Sequence, residues 1–579
     1  SNVCLGHRRL SIIDIERSIQ PWTSGDGRYT IVFNGEIYNY IELRKELESS
    51  GYRFKTHGDT EVLLNLFIDR GYKCLEKLNG MFAFAVWDKS EKQLFLARDR
   101  MGKKPVFYSL LGDSFAFCSE LVPLLSFNEI DKSLDLKAVQ DYFAYQFIPG
   151  ERSIYRGVQK LRPGHYLIYK NGRLVNDCYW APPHSKYQSK TIKQASEELV
   201  DLVDDAVRIR LRSDVPLGAF LSGGIDSSII VGTMKRIGAD VNTFTVGFSE
   251  TSFDESQVAA ATAAFFGTNH RSKIIDITLP SLIDQYLTSF GEPYADPSAL
   301  PTWFLCQYVQ KYVTVALSGD GSDELFGGYR RYLAAGFVGS ILRLPAWVRS
   351  QIIHRVINKL EVDDRYYGAS YKKKIKLFGG MLKRFEETPR DYLPQTFTLS
   401  ERKKLFKDSI GTVNIIDHEN DFGLSGYDRV EKMILTDIRT YLSEDILTKV
   451  DRMSMAHSLE VRAPFLDYRI VEFACRLPLN MKINKSRQKI ILREAYKNML
   501  PKQISRMPKH GFSVPVGGWL KTELRPLFET TVLDVADPDF IDGKEVHRIW
   551  SDHISAKADN GFKLWTILLF YYWYYNTRQ

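Results

Sequence analysis

The stretch from Leu217 to Ile230, LGAFLSGGIDSSII, carries residue types suited to holding a chain of phosphates. An apolar run (Leu217, Ala219, Phe220, Leu221) reads as a short buried strand, Ser222-Gly223-Gly224 as a tight turn, and Asp226-Ser227-Ser228 as a helix start. Two glycines let the main chain close on phosphate oxygens where a β-carbon would collide. Acceptors at a helix start suit capping, and the free N–H groups there, with the positive end of the dipole, suit an anion. No Gly-Lys-Ser/Thr follows, so this is not the Walker loop. The plainer alternative is a Gly-Ser turn ahead of a capped helix.

A second segment, SGDGSDELFGGY, begins at Ser318. Ser318-Gly319 allows close approach of main chain to a nucleotide. Asp226 and Asp323 offer hard oxygen ligands from two loops, which suits Mg²⁺ bridging a triphosphate. Without a cation, acidic side chains would repel a triphosphate, which favours the metal over the alternative, an acidic loop capping a helix. Val246 ends another apolar run, 241–248, and offers backbone hydrogen bonds and an apolar face to adenine.

Nearer the N-terminus, Asn34-Gly35-Glu36 follows Ile31-Val32-Phe33, and a side-chain amide with a glycine N–H can converge on one oxygen as an oxyanion hole. Asp59 can pair with an amino group or cap the helix beginning at Thr60. Arg9 can clamp a carboxylate with its planar fork or be an ordinary surface arginine.

These groups must be positioned by two kinds of architecture. Strand-like segments at Tyr29–Phe33, Met81–Trp87, Gln93–Arg98 and Pro105–Ser109 surround helical patterns at Tyr40–Ser50 and Thr60–Arg70, an α+β layer structure. Val3–Ile12 also reads as strand-like. After a polar, proline-bearing stretch, Pro182–Lys190, apolar residues recur at helical spacing over Ala195–Arg212. Strands at 217–221, 241–248 and 313–317 then alternate with helices, which implies a parallel sheet with its ligands at the carboxyl ends of the strands.

At 579 residues the chain is too long for one core, and 44% hydrophobic with 26% charged content is ordinary for a globular protein. With 78 basic and 70 acidic residues the excess is +8, and clusters such as Lys372-Lys373-Lys374 lack interleaved aromatics, so no nucleic-acid groove is expected. Six scattered cysteines without a CxxC pair argue against zinc, iron–sulfur or disulfide frameworks and fit a reducing cytoplasm. Leu564–Tyr575 is too short to span a bilayer and reads as a buried helix.

The runs LGHRRLSIID, FNGEIYNY, GDTEVLL, GMFAFAVWD and ARDRMGKKPVFY resemble the glutamine amidotransferase domain of the asparagine synthetase family. LSGGIDSS, FTVGF, ALSGDGSDELFGGYRRY, DILTKVDRMSMAHSLEVRAPFLD and NKSRQKIILREAY resemble its synthetase domain, whose SGG loop holds departing pyrophosphate. The resemblance implies a two-domain α/β chain. Residues 1–185 would form an incomplete αββα N-terminal-nucleophile hydrolase-like domain. Residues 195–579 would form a parallel-sheet PP-loop ATP pyrophosphatase-like domain with additional helices.

By the same resemblance Arg9 binds the glutamine carboxylate, Asn34 and Gly35 form the oxyanion hole, and Glu36 and Asp59 hold the amino group. ATP falls to Phe220, Leu221, Ser222, Gly223, Gly224, Asp226, Ser227, Ser228, Val246, Ser318 and Gly319. Mg²⁺ falls to Asp226 and Asp323. Asp320 occupies the place of an acid used in forming the acyl-adenylate, and Lys489 that of the lysine contacting the phosphates; taken alone, Lys489 is equally a snorkelling helix lysine.

The implied reaction adenylates aspartate and amidates it with ammonia from glutamine, along a route for which Gly80–Trp87 is either a wall or a core strand. The family's nucleophilic cysteine at the first position precedes HRRL by several dozen residues and is absent from this chain. Cys4 is a poor substitute, so the chain reads as a fragment expected to use ammonium rather than glutamine. Asp320 replaces a glutamate common in dedicated asparagine synthesis, which leaves a hexuronic acid or another carboxylate as rival acceptor. A catalytically silent ATP-binding scaffold is the rival of another class. Small molecules are the expected partners, and a homodimer remains open.

Overall fold

In Tyr29–Ile37, Ile31, Phe33 and Ile37 point to one side of the sheet and Val32 to the other, and this alternation makes the segment a strand buried on both faces. The computed structural model describes residues 3–183, 190–248, 254–275, 282–345, 347–349, 371–407, 411, 416–504 and 514–578. The N-terminal strands are β1 (Trp22–Thr23), β2 (Tyr29–Ile37), β3 (Gly80–Asp88), β4 (Gln93–Arg98), β5 (Phe107–Leu111), β6 (Ser114–Cys118), β7 (Gln159–Lys160), β8 (His165–Lys170) and β9 (Arg173–Cys178). They form an antiparallel sheet in the order β1-β2-β3-β4-β8-β9 and a smaller one in the order β6-β5-β7.

One face of the larger sheet packs on α1 (Tyr40–Ser49) and α2 (Asp59–Arg70) through Phe82, Phe84, Leu43 and Leu63. Its other face meets the smaller sheet through Val32, Ala83, Ala85, Val106 and Tyr108. Thus β3 is a core strand packed on both faces. Val3–Ile12, expected to be strand-like, joins no sheet. Arg9 holds the carbonyls just beyond it, and Ile12 O accepts Asp214 N–H at 3.0 Å, so side chains and a loop take the place of a ladder. The strand expected at Pro105–Ser109 lies two residues later, at Phe107–Leu111.

The second sheet contains β10 (Leu217–Phe220), β11 (Asn242–Phe248), β12 (Asn269–Ile275), β13 (Val315–Leu317) and β14 (Glu460–Arg462). It is parallel throughout, in the order β12-β11-β10-β13-β14. Ala219 and Leu317 face the helices Ile192–Arg210 and Ile225–Arg236 on one side. Phe244, Val246 and Ala316 face Ala299–Val309 on the other. The chain leaves β10 toward β11 and β12, then crosses back to β13, which makes the β10/β13 boundary the topological switch point.

The apolar cores do not stop at the proposed linker, most of which (184–189) lies outside the described residues. Tyr142 and Phe143 share a cluster with the C-terminal helix Gly561–Tyr572, with Phe143 and Phe570 ring centroids 5.0 Å apart and Tyr142 Oη donating to Thr566 O at 2.8 Å. That helix is buried, as its composition indicates, and no helix among the described residues is long and apolar enough to cross a membrane.

A polar seam joins the halves as well. Asp467, fully buried, accepts Asn79 Nδ2 at 2.8 Å and Arg210 Nη1 at 3.0 Å, and Arg469 Nη2 at 2.9 Å. Lys104 pairs with Asp451 at 2.9 Å. The hydrogen bond from Arg469, with Arg210 adding its charge, holds the Asp467 carboxyl below its usual range despite burial. Its stabilisation is therefore complete above the unfolded-state value near 3.8 and fades as pH falls through the lower folded value. D467N, which leaves buried arginine under-compensated, is expected to cost roughly 3–5 kcal/mol. Thermal melting should show a lowered Tm at pH 7 and a smaller loss on acidification than in the unaltered chain.

Candidate functional site

At the end of β10 the backbone turns at Gly223, with φ +74°, and a β-carbon there would lie 2.8 Å from Val258 Cγ1. The helix that follows starts at Ile225, with Gly224 in the N-cap position and no side-chain cap. The expected capping by Asp226, Ser227 and Ser228 does not occur. Ser228 Oγ donates back to Gly224 O at 2.7 Å and Ser227 Oγ to the same carbonyl at 3.3 Å. Asp226 is engaged elsewhere, so the helix's leading N–H groups lack a side-chain partner and suit an anion.

The neighbouring strand brings the second loop against this one. A β-carbon on Gly319 would fall 2.9 Å from both Asp226 Cβ and Ser227 N, so only glycine permits this approach. Ser222-Gly223-Gly224 and Ser318-Gly319 therefore share one end of the sheet, at the switch point. Ser318 Oγ donates to Asp320 Oδ2 at 2.7 Å, which orients that carboxylate. Ser322, which motif reading passed over, donates to Asp226 Oδ1 at 2.7 Å.

Lys489 joins the two loops. Its Nζ lies 2.6 Å from both oxygens of Asp226 and 2.6 Å from Asp323 Oδ1. The side chain is buried, and the residue precedes the helix Ile490–Ala495 at φ 54°, ψ 42°. A left-handed non-glycine conformation costs about 1–2 kcal/mol. The snorkelling-helix alternative fails on both counts. Gly328 lies against the pair: a β-carbon there would sit 1.8 Å from Asp323 Oδ1 and 2.2 Å from Lys489 Cε.

Among the described residues no group of three or more His, Cys, Asp or Glu side chains could hold a metal ion. The donor set nevertheless fits a shared cation, since Asp226 and Asp323 already converge on one ammonium. Mg²⁺ commonly takes one or two carboxylates and completes its shell with substrate phosphates.

Of the adenine candidates, Val246 and Phe220 belong to one apolar cluster, whereas strand alternation sends Leu221 to the opposite face. Leu221 N–H donates to Phe244 O at 2.9 Å and its carbonyl accepts Thr245 Oγ1. Its side chain belongs to the core beneath the loop.

The N-terminal group is assembled by β2 and the start of α2. Gly35 has φ +142°, and a β-carbon would lie 2.0 Å from Met81 O, so no other residue fits beside Asn34. Asp59 Oδ2 accepts Ile37 N–H at 3.0 Å. Burial pushes the Asp59 carboxyl up to about 6. Burial, then Asp59 and Glu460, hold Glu36 well above the carboxylate range. Arg9 is near enough to lower both but donates to the carbonyls of Ile13, Asp14 and Ile15. Two buried acids with little compensation are suited to an ammonium group. Cys4 is exposed, and the described cysteines are free thiols.

K489M should leave Asp226 and Asp323 facing each other and lower acid-dependent pyrophosphate–ATP exchange by at least about 100-fold; G328A should do so with Lys489 present. L-glutamine affinity, read by calorimetry, should weaken as pH falls through about 6, where Asp59 gains its proton. D59N should weaken binding about 10-fold or more and flatten that dependence.

A family model described as asparagine synthase matches residues 198–575, and one described as glutamine amidotransferase domain matches residues 1–180. Asparagine synthetase (glutamine-hydrolyzing) 1 of Bacillus subtilis is 36% identical over 594 residues, covering 99% of this chain and 89% of that protein. A putative asparagine synthetase (glutamine-hydrolyzing) of Mycobacterium tuberculosis H37Rv is 34% identical over 602 residues, with the same two coverages. Amidase chry2 of Gibberella zeae is 28% identical over 562 residues, covering 90% and 82%. On these matches the chain belongs to the asparagine synthase family.

Proposed function

We propose that the protein converts aspartate to asparagine with ATP and ammonia drawn from glutamine, releasing AMP and pyrophosphate. The observation that carries this reading is Lys489, buried between Asp226 and Asp323 beside an uncapped helix N-terminus at the switch point. As a member of its family the chain is an ATP-dependent amidotransferase and a carbon–nitrogen ligase.

An amide does not form usefully from a free carboxylate and ammonia in water. A carboxylate oxygen therefore attacks the α-phosphorus of ATP and pyrophosphate departs. Ammonia next attacks the acyl carbon, AMP leaves with the former carboxylate oxygen, and the nitrogen gives up a proton. Ser222-Gly223-Gly224 and the N–H groups after Gly224 receive the departing pyrophosphate, and Gly319 lets the chain close over the nucleotide. Asp226 and Asp323 would hold Mg²⁺, which offsets charge on the leaving group. Lys489 places a second positive charge beside the same phosphates. Asp320, oriented by Ser318, lies next to the reacting carboxylate.

In the other half, Glu36 and Asp59 take the glutamine amino group and Arg9 its carboxylate, for which Arg9 must leave some of its carbonyl partners. Asn34 and Gly35 would stabilise the oxyanion formed when a cysteine thiolate, which residues 1–579 do not supply, adds to the glutamine amide carbonyl and ammonia leaves. Residues 1–185 and 195–579 are the corresponding functional units, working on small molecules in the cytoplasm.

The test is AMP release with ammonium chloride as nitrogen donor. L-aspartate should support turnover and yield asparagine. Turnover with a hexuronic acid and none with L-aspartate would overturn the acceptor, and neither AMP nor pyrophosphate exchange with any acid would leave a silent nucleotide-binding scaffold.

A further inference from the structure

One arginine in the seam has contacts running to both sites. Arg462, on β14, is fully buried. Its Nε donates to Glu460 Oε1 at 2.7 Å, and its Nη1 donates to the carbonyls of Arg210 and Arg212 at 2.8 and 2.6 Å. Its Nη2 faces Glu36 Oε2 at 3.8 Å, beyond hydrogen-bonding reach. Both of these atoms are buried, and neither has a hydrogen-bond partner among the described residues. A buried donor and acceptor of opposite charge thus confront each other across a gap that a small movement would close.

The main chain of the same residue serves the other site. Arg462 is in register with Leu317, and its carbonyl accepts Ser318 N–H at 2.8 Å. Ser318 Oγ in turn donates to Asp320. The path from the glutamine acids to the acid beside the nucleotide therefore runs Glu36, Arg462, Ser318, Asp320.

We propose that Arg462 is a positioning residue that transmits occupancy of the Glu36–Asp59 pocket to the Ser318–Asp320 loop. The proposal rests on the reading of Glu36 and Asp59 as the seat of an amino group. An ammonium arriving there favours ionised Glu36, and ionised Glu36 draws the open Nη2 edge of Arg462. In the empty pocket that pull is weak, since burial and the neighbouring acids Asp59 and Glu460 disfavour the charged form of Glu36. The other edges of the guanidinium are tied to Glu460 and to two carbonyls, so the pull reaches β14 as a unit and arrives at the Ser318 N–H. By linkage the effect is reciprocal: a nucleotide that orders the loop favours the amino-acid ligand by the same factor.

L-glutamate is the probe, since it offers the amino and α-carboxylate groups of glutamine and no amide to hydrolyse. On the full chain, ATP affinity is measured by calorimetry with and without saturating L-glutamate, and amide hydrogen exchange is followed at Ser318. ATP should bind at least about 5-fold tighter with L-glutamate present, and exchange at Ser318 should slow. R462K keeps the charge but not the fork. It should bring the enhancement to about 1 while each ligand still binds alone; a purely structural role would lower both affinities and leave their ratio untouched. Should R462K fail to fold, the exchange measurement on the unaltered chain decides by itself. Enhancement that persists in folded R462K overturns the role of Arg462. L-glutamate that binds and moves neither readout overturns the coupling alone, and L-glutamate that does not bind overturns the pocket reading as well.

Discussion

The synthetase half depends on a single ammonium group held out of water between two carboxylates. Isolated, Lys489 would be costly to bury, and so would Asp226 or Asp323. Together, at 2.6 Å, they form a charge-assisted cluster that fixes the loop after β10 against the loop after β13. The cluster is net negative, which makes it receptive to a further cation. It also lies beside unpaired helix N–H groups, which makes the neighbourhood receptive to an anion. A metal–nucleotide supplies both charges at once. The left-handed backbone at Lys489 and the missing β-carbons at Gly319 and Gly328 are conformational conditions for that one contact.

The seam between the halves follows the same logic on a larger scale. Asp467, Asp451 and Glu444 carry buried negative charge from one side, and Lys104, Lys160 and Arg98 meet Asp451 and Glu444 with positive charge from the other. Glu444 comes from Asp437–Leu447, a π-helical segment whose wider turn sets its side chains at spacings an α-helix would not give. Such pairs contribute more to fixing relative position than to net stability, since each must first lose its hydration.

Much of this arrangement was legible in the amino-acid order. Alternation marked β2, β3 and β4, helical spacing marked α1, α2 and Ile192–Arg210, and glycine with acid marked both loops. What stayed hidden was decided by partners distant in sequence. β14 is three residues long with a charge at either end, and Glu460-Val461-Arg462 carries no period by which to know it. It is buried because its charges answer one another and Glu36. β12 is largely polar and exposed, as an edge strand should be. Leu221 and Phe220 point to opposite faces, since in a strand one residue changes the face. Ser227 and Ser228 looked like caps, but in a helix's first turn their hydroxyls reach back to a carbonyl as readily as forward to an N–H.

The cluster that joins Tyr142 and Phe143 to the helix Gly561–Tyr572 also bears on how the chain is made. During synthesis the apolar face of Leu136–Tyr145 emerges more than four hundred residues before Phe570, its covering partner. Until that helix is made, the face can meet earlier neighbours such as Leu124, Ile154 and Phe406 but not Phe570, so part of it stays uncovered in the nascent protein. The helix Gly561–Tyr572 acts as a closing wedge, and removing it would expose a surface made more than four hundred residues earlier.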